Sequence, residues 1–171
     1  DISSKQCRKL RIQNPVISNK DLEKIRAISI DHFHAETFSI LYPKAKGLNG
    51  LEDALAALIV QVTKAVERGT NIIILSDRGV NKDLAPIPSL LACSYVNHQM
   101  NRLRKRSYFD IIIESAEPRE PHHFATLFGY GASAINPYMV NEIIRVQVRE
   151  GFITGIDETK AVHNFNKAIG N

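Results

Sequence analysis

Residues 71–79 read NIIILSDRG. Ile72, Ile73, Ile74 and Leu75 form an unbroken apolar run, and Ser76-Asp77-Arg78-Gly79 then turns polar. An apolar run without alternation suits a strand buried on both faces, as in a parallel sheet. The polar tetrad falls at the C-terminal end of that strand, the edge at which open α/β sheets and barrels meet ligands and partners. The next helix begins near Pro86-Ile87-Pro88-Ser89, so the tetrad opens a βα loop.

Around this strand the chain has a βα rhythm. Further strands are predicted at 37–41, 109–113 and 132–135, with 42–47 as a loop. Helices are predicted at 20–28 (Ser18-Asn19 as cap), 50–68 (closed by Gly69), 89–106, 120–128 (closed by Gly129), from Pro137 with Asn136 as N-cap, and 157–169 with Asp157 as N-cap. The stripe Leu51, Leu55, Leu58, Ile59, Val62 and Val66 marks the second of these helices. Strands alternating with helices predict an α/β fold with a parallel sheet of about four βα units. A closed eight-stranded barrel needs about 250 residues, so the sheet is open or part of a barrel. One domain over 1–171 is expected: a lead-in at 1–36, a βα core at 37–150 and a C-terminal helix at 151–171.

Composition bounds the function classes. No stretch approaches the roughly 20 apolar residues of a membrane span, and no signal peptide is seen. The start at Asp1 without methionine is what a piece of a larger polypeptide would show. Net charge is only +4, and the basic residues Arg102, Arg104, Lys105 and Arg106 fall at a predicted helix C-terminus, where cations complement the helix dipole. Aromatic residues do not alternate with them, which argues against a nucleic-acid partner. Two distant cysteines, Cys7 and Cys93, suggest a reduced intracellular protein, with Cys93 in the core.

The strand at 109–113 runs into a second charged loop, Glu114 to His123. If adjacent parallel strands carry both loops, then Asp77, Arg78, Glu114, Glu117, Arg119, Glu120, His122 and His123 converge on one edge. Three readings compete. A metal site would use His122, His123, Glu117 or Glu120, but adjacent histidines diverge by about 100° on a helix. An acid–base site lacks an evident nucleophile–base pair. A structural network of Asp77 and Glu114 against Arg78 and Arg119, holding the loops for a neighbouring domain, is favoured by composition. Gly129-Tyr130-Gly131-Ala132 lacks the spacing of a phosphate loop and precedes a strand instead of following one. His98 reads as a packed or surface residue.

Ile74-Leu75-Ser76-Asp77-Arg78-Gly79 and Pro86-Ile87-Pro88-Ser89-Leu90-Leu91-Ala92 resemble the central domain of the glutamate synthase large subunit. So do Glu117, Arg119-Glu120, His122-His123-Phe124, Gly129-Tyr130-Gly131-Ala132 and Asn136-Pro137-Tyr138, and the entry Cys7-Arg8 with Asn14-Pro15-Val16. Asn97-His98-Gln99 and Ser115-Ala116 depart from the family pattern. The resemblance implies part of a flavin-type barrel fold with no cofactor, no metal and no catalytic residue of its own. It implies same-chain partners, an amidotransferase domain and an FMN domain with an iron–sulfur cluster, joined here along a walled ammonia tunnel. The parent oxidoreductase would make two glutamates from glutamine and 2-oxoglutarate, drawing electrons from NADPH, NADH or ferredoxin, with a small electron-donor subunit or ferredoxin as a further partner. A cytoplasmic or plastid location follows. The alternative is a stand-alone α/β enzyme or small-molecule-binding domain that uses the Asp77–His123 edge.

Overall fold

The computed structural model describes residues 12, 14–28, 30 and 32–170; the sequence readings at Cys7 and Arg8 lie outside them. Within the described residues six strands and six helices follow in chain order. They are α1 (Asn19–Arg26), β1 (Ala35–Ser39), β2 (Leu41–Pro43), α2 (Gly47–Glu67), β3 (Ile72–Ser76), β4 (Leu84–Pro86), α3 (Ser89–Arg102), β5 (Asp110–Glu114), α4 (Pro121–Gly129), β6 (Ala134–Asn136), α5 (Tyr138–Arg149) and α6 (Glu158–Ile169). The main sheet has the order β1-β3-β5-β6, all parallel. Each strand thus lies beside its successor, as in one half of a (β/α)8 barrel. Crossovers of one hand that always advance in the same direction put α2, α3 and α4 on one face. At the far edge Val16 pairs in parallel with Ile135, so the lead-in also joins the sheet.

Side-chain alternation sorts the sheet into two cores. Ile73, Leu75, Ile111, Ile113 and Ile135 face the outer helices, meeting Leu58 and Val62 of α2, Ala92, Val96 and Met100 of α3, and Phe124 and Leu127 of α4. Ile72, Ile74, Ile112 and Ala134 face the other way and are covered by Ile17 and by Leu22 and Ile25 of α1. This second face is the one that would line a barrel interior, and α1 stands in for the missing half. It explains why the run at 72–75 shows no alternation: both faces of β3 are buried.

Several local expectations change. The segment 42–47 is not a loop: Leu41–Pro43 pairs antiparallel with Leu84–Pro86, and a 3-10 turn leads directly into α2. Proline at an outer end of each strand (Pro43, Pro86) hid this ribbon, because proline argues against sheet. Asn136 is not a cap. It is the last residue of β6, and its Nδ2 donates to the Ile17 carbonyl (3.0 Å) and to Asn19 Oδ1 (2.9 Å), while Pro137 holds the cap position. Gly129 ends α4 from inside the helix; the left-handed residue is Gly131 at φ +110°, with Ala132 N–H donating to the Leu127 carbonyl and Gly131 N–H to that of Phe128. A Cβ on Gly131 would also sit 2.8 Å from Asn97, so glycine is required twice over. Ser18 and Asp157 cap their helices as expected, accepting from Asp21 N–H and Lys160 N–H.

The basic cluster also resolves differently. Helix α3 stops at Arg102, not Arg106, because Arg104 takes a left-handed conformation (φ +56°) and Lys105 N–H returns to the Met100 carbonyl. Arg106 is not a surface cation. It donates to Asn97 Oδ1 (2.7 Å) and to the carbonyls of Phe109 (2.6 Å) and Gly131 (2.8 Å), tying three elements together. Beside it, burial pushes the Cys93 thiol up to about 11, against the opposing pull of Arg106. Arg104 occupies a position that suits glycine, so Arg104→Gly is expected to stabilise the fold by about 1 kcal/mol, read as a higher urea midpoint at unchanged slope.

Candidate functional site

Register builds the site. Ser39 is level with Ser76, Ser76 with Glu114, and Glu114 with Asn136. The last row of the inner face, at the C-terminal edge, is therefore wholly polar, while the row beneath it on β3, β5 and β6, Ile74, Ile112 and Ala134, is apolar. Glu114 is 1% exposed. Its Oε2 accepts from Ser76 Oγ (2.6 Å) and from Arg26 Nη2 (2.6 Å), and its Oε1 accepts from Arg78 Nε (2.5 Å). Arg26 is fixed in turn by Glu23 and by Thr37 Oγ1. Arg78 lies over the Tyr138 ring, its guanidinium carbon 4.0 Å from the centroid.

Asp77 is one residue past Ser76, so its carboxylate turns away from Glu114. It accepts from Ser115 Oγ (2.6 Å) and from Ala116 N–H (3.0 Å). Burial first, and then the Asp77 carboxylate beside it, push the Tyr138 phenol up, with Arg78 pulling the other way. Strand ends are zipped by backbone as well: Asp77 N–H donates to the Glu114 carbonyl and Ser115 N–H to that of Asn136.

The expected network of Asp77 and Glu114 against Arg78 and Arg119 is thus corrected. Glu114 pairs with Arg78 and Arg26, and among the described residues Asp77 pairs with no arginine and Arg119 with no carboxylate. The remaining loop residues form a separate, exposed group. Glu117 Oε2 accepts from Ser89 N–H (2.7 Å) and Ser89 Oγ (2.5 Å), capping α3 from another loop, since Pro88 at its cap position offers no side-chain bond. Glu120 and His123 cap α4 reciprocally, His123 Nδ1 accepting from Arg119 and Glu120 N–H. The His122 and His123 rings meet edge to face, and among the described residues no three His, Cys, Asp or Glu side chains are grouped to hold a metal. A depression of about 270 Å³ runs between Ser89, Glu117, His122 and His123. A larger one, about 330 Å³, lies at the opposite end of the sheet around His34, Glu36 and Arg68.

A family model described as the glutamate synthase central domain matches residues 1–171. The chain belongs to this family. It is 35% identical over 167 residues to the NADPH glutamate synthase large chain of Bacillus subtilis, spanning 98% of this chain and 11% of that one. Against the NADH glutamate synthase of Schizosaccharomyces pombe it is 33% identical over 174 residues, 99% of this chain and 8% of that one. Against ferredoxin-dependent glutamate synthase 2 of Synechocystis it is 30% identical over 179 residues, 97% and 11% of the two chains. The chain therefore spans about a tenth of the length of these relatives.

In this central domain the charged edge has a fixed internal chemistry. Both oxygens of Glu114 are engaged by protein donors, three in all. Arg26 was missed in the sequence, where it reads as an ordinary basic residue in the last turn of a surface helix; its partner lies 88 positions away. The signal that could have found it is the demand for a cover on the second face of β3.

Two measurements test this arrangement. Glu114→Gln removes a buried carboxylate held by two arginines and is expected to cost about 3 kcal/mol of unfolding free energy. Ionisation of Tyr138 is disfavoured in the fold, so its contribution is intact below the ordinary phenol value near pH 10 and is lost as pH rises beyond it. Urea titrations at a series of alkaline pH values should show a decline that is shallower in Tyr138→Phe.

Proposed function

We propose that this domain does no chemistry and instead joins the amidotransferase and FMN domains of one glutamate synthase polypeptide, helping to wall the path of ammonia between them. The parent enzyme would convert glutamine and 2-oxoglutarate to two glutamates. Ammonia needs walls because in water it protonates and loses its nucleophilic lone pair. The observation that carries this reading is the state of the C-terminal edge. Where an α/β fold usually meets its ligand, Glu114 accepts from Ser76, Arg26 and Arg78, Asp77 accepts from Ser115 and Ala116, and these bonds brace the loops.

The cofactors of the parent do not fit this chain. An iron–sulfur cluster calls for a set of cysteine ligands, and the whole chain has two cysteines. At the N-terminus of α3, behind the charged edge, a flavin phosphate would meet the Glu117 carboxylate already lying there. FMN and the cluster are therefore assigned to the rest of the polypeptide. Electrons would come from NADPH, NADH or ferredoxin, with a small donor subunit or ferredoxin as a further partner, in the cytoplasm or in a plastid. No described helix is long and apolar enough to cross a membrane.

The test is the native polypeptide, isolated with an antibody raised to these 171 residues. A species many times larger than 19.2 kDa that carries flavin absorbance is expected. A native 19.2 kDa protein would overturn the proposal.

A further inference from the structure

The main sheet has two edges, and they differ. At one, the lead-in lies beside β6: Ile17 N–H donates to the Ile135 carbonyl (2.9 Å) and Ile135 N–H to that of Pro15 (2.8 Å). Residues 15 and 17 therefore face β6, and Val16 is the residue turned outward. Its N–H is already taken by Asn14 Oδ1 (2.8 Å), while Asn14 Nδ2 donates to the Asn166 carbonyl of α6 (2.9 Å). A proline, an engaged N–H and an adjoining helix close this edge to further pairing.

The other edge is β1, which has β3 on one side only. Ile72 N–H donates to the His34 carbonyl (3.0 Å) and Ile40 N–H to that of Ser76 (2.9 Å), so residues 34, 36, 38 and 40 turn their backbone groups to β3. Ala35, Thr37 and Ser39 turn theirs outward. Among the described residues nothing pairs with that side of the strand. At five residues β1 is as long as β3 and β5. It has no lysine, no proline and no break in its register against β3. Its single charge, Glu36, is held by Arg68 and Thr70, which lie between α2 and β3. None of the devices that close the first edge is present on the second.

From this contrast we infer that an extended segment from elsewhere in the same polypeptide pairs with Ala35–Ser39 and adds a further strand beside β1. The inference rests on the reading of this chain as one domain of a longer polypeptide. Outward N–H and C=O groups along about 17 Å of regular edge match another extended backbone. Side chains of the added strand alternate as well. One set falls beside Phe38, which belongs to the outer core, and is apolar; the other falls beside Thr37 and Ser39, exposed on the inner face, and is small or polar. A separate molecule, a second copy included, is a poor source, because a five-residue ladder falls far below the roughly 1,200 Å² that specific association needs. A segment tethered in the same chain is held at about millimolar local concentration and escapes that requirement. The relatives run to about ten times the length of this chain, so such a segment has a source.

Hydrogen exchange of the full-length polypeptide, read at single amides, tests the added strand. Ala35, Thr37 and Ser39 should exchange as slowly as Glu36, Phe38 and Ile40, about a hundredfold slower than open amides. Alternation along β1, with the three outward amides fast and the three inward ones slow, would show a bare edge and overturn the inference. Ala35→Pro deletes one outward N–H and should speed Thr37 and Ser39 about tenfold, together with one stretch outside residues 1–171, while Phe38 and Ile40 stay slow. Loss of protection confined to residues 1–171 would place the cover within this chain and overturn the inference. So would protection of the outward amides that rises with protein concentration, which would seat a second copy there. Thr37→benzoylphenylalanine gives a readout that needs no proline: its photo-cross-link should fall outside residues 1–171, and a cross-link only within them overturns the inference. A long native polypeptide with a fast-exchanging β1 edge would overturn only the added strand, whereas a 19.2 kDa native protein would overturn the domain reading as well.

Discussion

A parallel sheet must be covered on both faces, and half a barrel leaves one of them bare. Everything else in this fold answers that constraint. The crossover helices cover the outer face as a matter of handedness. The inner face, with Ile72, Ile74, Ile112 and Ala134, is closed by a helix from the lead-in, held by Leu22 and Ile25. The contact is then pinned by charge, as Arg26 at the end of α1 reaches the buried Glu114 at the end of the central strand. Apolar burial supplies the attraction and the ion pair fixes the register, because a carboxylate sealed under α1 cannot be left unpaired.

The same carboxylate organises the edge. Ser76 and Arg78 converge on it from the end of β3 and Arg26 from a helix, and Tyr138 and Asp77 extend the group to α5 and to the neighbouring loop. The exposed carboxylates act elsewhere, with Glu117 and Glu120 satisfying the N–H groups that open α3 and α4. Residues that look catalytic when read along the chain are, in three dimensions, the fasteners of helix ends.

Legibility followed the range of the interaction. The apolar run at 72–75, the Ser18 and Asp157 caps and the helical stripe from Leu51 to Val66 are local signals, and each element formed where its signal lay. Asn136 looked like a cap because asparagine before a helix usually is one; here the strand continues through it, and its amide is used by Ile17 and Asn19, more than a hundred residues earlier. Arg104 looked like a helix residue because a left-handed arginine has no sequence mark. The choice of Arg26 over Arg119 as the partner of Glu114 depended on where α1 would lie, and no window of sequence around either arginine contains that information.

The placement of α1 also sets an order on synthesis. The helix leaves the ribosome early, but the strands it covers come later, and Glu114 follows Arg26 by 88 positions. Until β5 and β6 have emerged, the barrel-side face has no surface to offer and α1 has nothing to pack on. The βα units can assemble from near neighbours, whereas the helix must close a far longer loop and docks last. Were the sheet to assemble before α1 docks, Ile72, Ile74 and Ile112 would stand uncovered on it, an exposed apolar face of the kind chaperones bind.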